Sequence, residues 1–355
     1  MSVKSKIKAL LPAPVLGGFR RLFNATAILL NKLFMANTVL ASFFYGLLNH
    51  KFSREHHAVL KGKHAYQLKL AQIEKSSFLL RRNIHRLEKG LLMQPRRDVF
   101  GEAFIAETIH HFKLALNAPS FDPDELKWAS DVLSAYFDAV QDTAIIQKQR
   151  CIFQSFAVTR HPHDAFVPYS VQSLAEAQVS YQQLFALCSK RKSVRWFLDQ
   201  PVPATLVQQA IDLALLAPSA CNRQPFKFYV SSSVSKARDI ARLAPGTPGW
   251  VDNIQCLVVV VGDLSAFADE RDRHLIYTDS ALASMQFMLA LESLGLASCP
   301  INWPDIADNE KRIKQKIQLN DFERPVMLMA VGYAEPEGCV AYSQKKTSAN
   351  VMERF

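Results

Sequence analysis

Apolar residues recur every three to four positions over Ser76–Pro95, Ala103–Asn117 and Pro123–Val140, which predicts a succession of amphipathic helices. In the first of these, Leu80, Ile84, Leu87 and Leu91 form one apolar stripe, and Gly90 suits the helix end. Arg82 and Arg86, four apart, share another side of the same helix. That cationic side fits either a solvated face or a contact to a phosphorylated ligand or lipid head group. From about residue 171 the pattern changes. Helical periods over Ser173–Lys190, Pro203–Ala217 and Thr278–Leu294 alternate with short apolar runs at Phe226–Ser231, Ile254–Gly262, Ala297–Asn302 and Pro325–Tyr333. The short runs read as strands, the second being β-branched and continuous like a buried strand. In the 278–294 helix, Met285, Met288 and Leu289 lie on one side and Gly295 marks the end. This alternation predicts an α+β fold, a sheet covered by helices, preceded by an all-α region. The boundary falls between Arg160 and Val171, giving a helical region 1–165 and a second domain 171–355.

A length of 355 residues supports two cores. Charge is uneven: residues 1–100 hold 18 Lys and Arg against four acids, whereas the remainder holds 24 against 28. The net charge of +10 therefore belongs to the helical region. Such a block suits an anionic surface. The basic residues are interleaved with aliphatics and carry no nucleic-acid-binding signature, so no nucleic-acid partner is expected.

Residues 22–49 carry a single charge, Lys32, between Arg20 and Arg21 on one side and Lys51 and Arg54 on the other. The uncharged part after Lys32 is 17 residues long, at the lower limit for a spanning helix, and is diluted by Asn37, Thr38, Ser42 and Gly46. Three readings fit: a core helix or hairpin, an interfacial helix held to anionic lipid, and a membrane span. The six cysteines are widely spaced with no CxxC, and each isolated thiol reads as a small buried hydrophobe. With no secretory cleavage signal, the expectation is a cytoplasmic protein, with peripheral contact at the inner face of the membrane as the variant. His110 and His111 are adjacent and cannot share a helix face; His161 and His163 sit in a Pro-rich linker. No metal is expected.

The candidate chemistry is concentrated in two motifs. Arg191-Lys192-Ser193-Val194-Arg195 puts three cations and a hydroxyl just before a helix-sized segment, and Ala217-Pro218-Ser219-Ala220-Cys221-Asn222-Arg223-Gln224-Pro225 follows it. Arg191 and Arg195 offer planar forks for phosphate oxygens and Ser193 a hydroxyl, whereas Lys192 has charge without a fork and could equally face solvent. Pro218 and Pro225 stiffen the turn between them. Together the motifs resemble the signature of the FMN-dependent nitroreductase family, from about Val171 to the C-terminus. A weaker likeness links the 79–91 run to an N-terminal extension of nitroreductase-like proteins associated with bacterial surface polysaccharide genes.

The resemblance implies a nitroreductase-like fold, a central mostly antiparallel sheet with helices around it, and FMN at the interface of a homodimer. It implies that Ser219, Asn222 and Gln224 hold the ribityl chain and the ring's pyrimidine edge. It also implies that Asp279 and the turn Gly295-Leu296-Ala297 lead into a strand facing the ring. There the contact comes from the backbone near Pro300 and Ile301, Ile301 being favoured because Pro300 has no N–H. A basic residue near the C-terminus, Lys345 rather than Lys346, completes the phosphate site. Ala244–Asp252 would cover the substrate face, with Trp250 stacking on substrate or plugging the dimer interface. No protein nucleophile or Gly-rich nucleotide loop is present, so no catalytic side chain is expected; the flavin carries the chemistry. The function implied is an NAD(P)H oxidoreductase working by ping-pong hydride transfer on a small oxidised acceptor, nitro, quinone or similar. The alternative is a flavin-binding scaffold or partner protein in polysaccharide assembly, without turnover. No motif reads a 2′-phosphate, so NADH and NADPH fit equally.

Overall fold

The computed structural model describes residues 28, 32–157 and 164–355. The chain divides between His57 and Ala58 into two compact units, so the boundary expected at 160–171 falls inside the second unit. Of the segment 22–49, residues 22–27 and 29–31 lie outside the described residues. Its described part forms helix α1 (Thr38–Phe43), capped by the Asn37 side chain, and a π-helical turn over Phe44–Leu48. Leu33, Met35, Val39, Phe43, Leu47 and Leu48 are all exposed. Among the described residues no helix is long and apolar enough to cross a membrane.

Helix α2 spans Ser53–Lys69, and α3 (Phe78–Leu92), α4 (Glu102–Leu116), α5 (Pro123–Ala139) and α6 (Ala144–Gln154) follow. The expected stripe is the buried one: Leu80, Ile84 and Leu87 pack with Ile105, Phe112, Leu133 and Tyr136. Gly90 does not end α3. It lies inside the helix, where a β-carbon would overlap the Phe100 ring, so its role is close packing.

The expected α+β sheet is present: β1 (Phe226–Val230), β2 (Cys256–Asp263), β3 (Ala297–Asn302) and β4 (Glu323–Gly332) pair antiparallel in the order β1-β2-β4-β3. Strand β2 is buried along its whole length because both its faces are covered. Leu257, Val259 and Val261 pack with Ala237, Ile240, Trp250 and Ile313, under α9 (Val234–Ala241) and α11 (Ala307–Ile317). Cys256, Val258 and Val260 face the other way, onto Val207, Ala210, Phe287 and Leu291 of α8 (Ala204–Ala214) and α10 (Leu275–Ser293). The period-two alternation of a strand divides one apolar run between two cores.

Four local expectations change. The helix expected over Ser173–Lys190 exists only as α7, Tyr181–Lys190. Ser180 and Gln183 form a reciprocal capping box that sets its start. On α10, Met288 is buried but Met285 is exposed together with Leu282, so apolar side chains occupy two sides of the helix. Trp250 neither caps a substrate face nor waits at an interface: it is buried in the sheet's own core and donates to the Gly246 carbonyl. Of the thiols, only Cys256 and Cys299 are buried; Cys151, Cys188 and Cys339 are exposed and Cys221 is half-buried.

Candidate functional site

The basic run lies along the outer edge of the sheet. Ser193 bridges Ser298 in parallel register and the Val194 N–H donates to the Ser298 carbonyl, so Arg191–Arg195 runs beside the start of β3. Arg195 and Arg191 both act on the buried Cys299 thiol, yet burial dominates there and pushes the thiol's pKa up. Lys192 and Arg195 are exposed and Arg191 and Ser193 half-buried. Neither arginine forms an ion pair with a described carboxylate, whereas neighbouring Lys190 is paired with Glu292. The Ser298 hydroxyl, buried beside the run, has no hydrogen-bond partner among the described residues. Two unpaired guanidinium groups and an orphaned hydroxyl form a donor set that suits a phosphate monoester. Pro300 and Ile301 continue β3 from this point, paired with Met329 and Leu328 of β4. Lys345 lies in the exposed C-terminal tail, where Gln344 donates to its carbonyl.

The second motif folds into a tight turn ahead of β1. Cys221, Asn222 and Gln224 have φ of 53°, 50° and 50°, the left-handed region that non-glycine residues avoid. Three such residues in four positions store strain that neighbouring contacts must hold, a pattern associated with functional loops. The Ser219 hydroxyl accepts from the Gln224 N–H at 3.1 Å, closing the turn internally. The Ala220 N–H donates to Asp279 on α10 at 3.0 Å. Burial raises the Asp279 carboxyl pKa, and that hydrogen bond and Arg223 only partly offset it. Gln224 Nε2 donates to the Leu215 carbonyl. Pro218 is exposed at the start of the turn.

Sequence reasoning missed the main anchor. Arg81 on α3 donates through Nε to the Asn222 carbonyl at 2.8 Å and through Nη2 to Gln224 Oε1 at 3.4 Å. Its Nη1 pairs with Glu125 of α5 at 2.8 Å. The only signal in the chain was its place beside the Arg82/Arg86 pair. The helical region therefore supports the polar turn directly. Beside the turn opens a cleft of about 420 Å³, with Arg81, Glu88, Trp128, Tyr169 and Asn222 among its walls. His161 and His163 lie outside the described residues.

The structure does not bring the two motifs together within one chain. The turn joins β1 at the Gly262 end of β2, and the basic run joins β3 at the level of Val331, opposite Cys256. These are diagonal corners of the sheet. Three strand spacings of ~4.8 Å and six residues of ~3.3 Å put them roughly 24 Å apart.

Residues 188–247 and 240–333 match the model of the Nitroreductase family. The chain is 24% identical over 157 residues to the FMN reductase [NAD(P)H] of Bacillus subtilis strain 168, covering 40% of this chain and 62% of that protein. It is 23% identical over 260 residues to iodotyrosine deiodinase 1 of Sus scrofa, covering 64% of this chain and 83% of that protein. Among solved structures, a nitroreductase family protein from Streptococcus pneumoniae TIGR4 is 24% identical, with a TM-score of 0.42, over 48% of this chain and 100% of that one. Together the two matches to that family model span residues 188–333.

Proposed function

We propose that this domain binds FMN and reduces a small oxidised acceptor at the expense of NAD(P)H, as an assembly of two copies of the chain. The reading rests on the Arg191, Ser193 and Arg195 side chains standing along the edge of β3 with no partner among the described residues, beside the similarly unpartnered Ser298 hydroxyl. In this reading Arg191 and Arg195 neutralise the cofactor phosphate and Ser193 and Ser298 donate to it. Ser219, Asn222 and Gln224 orient the ribityl chain and ring edge, and the β3 backbone at Ile301 meets the ring. Bound FMN supplies the electron- and hydride-carrying group, so no protein nucleophile is needed.

The diagonal separation of the two motifs favours a site completed by a second copy, the basic run of one facing the turn of the other. The surface supports this. Leu213 and Leu216 at the end of α8 and Leu282 and Met285 on α10 are exposed on two helices that pack together, an apolar face of the kind that marks an interface. Names of relatives favour the redox class: an NAD(P)H-dependent FMN reductase and a deiodinase share part of this sequence. For the first unit, the exposed apolar side chains between Leu33 and Leu48, followed by Lys51 and Arg54, support peripheral contact with an anionic membrane surface. Salt-reversible co-sedimentation with anionic vesicles tests that contact, and a chain that stays in the supernatant at low salt overturns it.

The deciding measurement is the absorbance spectrum of the purified chain, with FMN added, before and after anaerobic NADPH or NADH. A flavin spectrum that bleaches and returns with a quinone is expected, and Arg191→Gln with Arg195→Gln should weaken FMN binding. Flavin that binds but stays oxidised points to the scaffold role instead. No FMN binding at all overturns the reading.

A further inference from the structure

A cluster of arginines beside the polar turn has no part in the flavin site proposed above. Arg82 and Arg86 stand one turn apart on α3, and Arg223 projects from the strained turn. The bond from Arg81 to the Asn222 carbonyl holds that helix against the turn, and the charge of Arg82 bears on both Arg86 and Arg223, which puts the three side chains in one locality. Aromatic rings lie against two of them. The Arg86 guanidinium lies 3.7 Å over the Phe104 ring and that of Arg223 5.0 Å over Phe267, which covers one face of each and leaves the N–H edges free. Arg82 Nε reaches only the Asn83 amide oxygen, at 3.3 Å. None of the three forms an ion pair with a described carboxylate, although Arg81, on the same helix, has Glu125.

The nearby acids are engaged elsewhere. Glu107 accepts from the buried Asn83 side chain at 3.0 Å, and Asp272 lies 3.7 Å from Arg271. Arg223 is only 8% exposed. Burial lowers the pKa of Arg223 and of Arg86 and the charge of Arg82 adds to it, while Cys221, with Asp272 near Arg223 and Glu107 near Arg86, offsets this only in part. Buried Tyr66 has its phenol pKa raised, first by burial, and so remains a donor beside the cluster. Desolvated like charges without a counter-ion are costly, and an anion between them removes the cost.

Resting on the flavin reading for the identity of its ligand, we propose that Arg82, Arg86 and Arg223 form an anion-binding site beside the 219–224 turn. The site takes the carboxylate or phosphate group of the electron acceptor, which makes that acceptor an anionic molecule. Planar guanidinium forks match either group, and the fixed helix presents them without further ordering.

The same chemistry could come from the cofactor's own phosphate, and the test separates the two sources. Inorganic phosphate is titrated calorimetrically into the FMN-saturated full chain and into the Arg82→Gln/Arg86→Gln variant. Binding in the parent, weakened by about tenfold or more in the variant, is expected from the loss of charge-assisted hydrogen bonds. Equal binding in both, or none in the parent, overturns the site. Turnover is then compared with 4-nitrobenzoate and with neutral 4-nitrobenzyl alcohol. The ratio of their kcat/KM values should fall roughly tenfold in the variant, mainly through KM for the anion. An unchanged ratio overturns the acceptor assignment. So does a loss of FMN affinity in this variant without one in Arg191→Gln/Arg195→Gln, since the cluster would then hold the flavin phosphate. If NAD(P)H fails to reduce the parent's flavin, the oxidoreductase reading falls while the phosphate titration still decides the anion site.

Discussion

Replacing Arg81 by methionine tests how far the helical region supports the 219–224 turn. Methionine keeps most of the stem and removes the guanidinium. Three contacts go: the 2.8 Å bond to the Asn222 carbonyl, the long 3.4 Å bond to Gln224, and the 2.8 Å pair with Glu125. A charge-assisted bond to a carbonyl is worth about 1.5–3 kcal/mol. Stranding a carboxylate costs about 3–5 kcal/mol when the pair is fully buried, and less here because both side chains keep some exposure, 17% for Arg81 and 14% for Glu125. Glu125 is poorly placed to compensate, since its other oxygen already lacks a partner among the described residues. The net loss should be about 3 kcal/mol of unfolding free energy, the terms being only partly additive.

The turn should respond as well. Its three left-handed residues each cost roughly 1–2 kcal/mol, and Arg81 grips two of them, so its loss lets the turn relax. Urea unfolding reads the stability, and fluorescence titration reads FMN affinity, which should fall at least tenfold. Adding Glu125→Leu should restore part of the stability, because the stranded charge is gone, but not the FMN affinity. An unchanged urea midpoint with unchanged affinity would refute the reasoning, as would a double variant no more stable than the single one.

Gly62→Ala should lower the melting temperature, because a β-carbon there would sit 2.7 Å from Leu264 Cβ and 2.9 Å from its backbone, an overpacking cost of about 1–3 kcal/mol; Gly46→Ala, with open space around it, should not, and equal shifts would refute the packing argument. Iodoacetamide followed by mass spectrometry should label Cys151, Cys188 and Cys339 in the native chain and spare Cys256 and Cys299, which are buried with raised pKa; rapid labelling of Cys299 would contradict its placement. Asp279→Asn should leave the Ala220 N–H an acceptor while removing a desolvated charge. Because the folded carboxyl pKa is raised above 3.8, its penalty is full above the folded value and absent below the unfolded one. The variant's stability relative to the parent should therefore shrink as pH falls through that window, and a pH-independent difference in urea titrations would count against it.

The strands were legible because each is a short apolar run bounded by turn residues, and β2 needed no alternation since both its faces are buried. The helices of the first half were legible from one stripe, Leu80, Ile84 and Leu87. Composition misled at Ser173–Lys190, where helix-forming residues precede the capping box that decides the start at Ser180. Helices α9 and α11 escaped notice because they are short and heavily charged, with few buried positions. Both candidate motifs were visible as residue types in order, but not their diagonal placement, which depends on strand order and so on long-range pairing. Arg81 was invisible for the same reason: its partner Asn222 lies 141 residues away.

The structure also changes what the basic first hundred residues mean. Read as composition, a surplus of 14 charges is a surface for an anionic partner. Within the second unit, much of that charge is spent internally. Lys63 pairs with Glu270, Lys69 with Asp263 and Ser265, and Arg81 with Glu125, while Arg82 and Arg86 converge with Arg223. These ties fasten α2 and α3 to the sheet region and to the turn. The residues before Ala58 still hold eight Lys and Arg against Glu55 alone. In the readings proposed above, an external anionic surface meets the first unit, and the arginines of α3 meet a ligand small enough to reach the turn. The two proposals then differ in salt dependence: surface attraction falls off over a Debye length of ~8 Å at physiological ionic strength, whereas a partly buried cluster is screened far less.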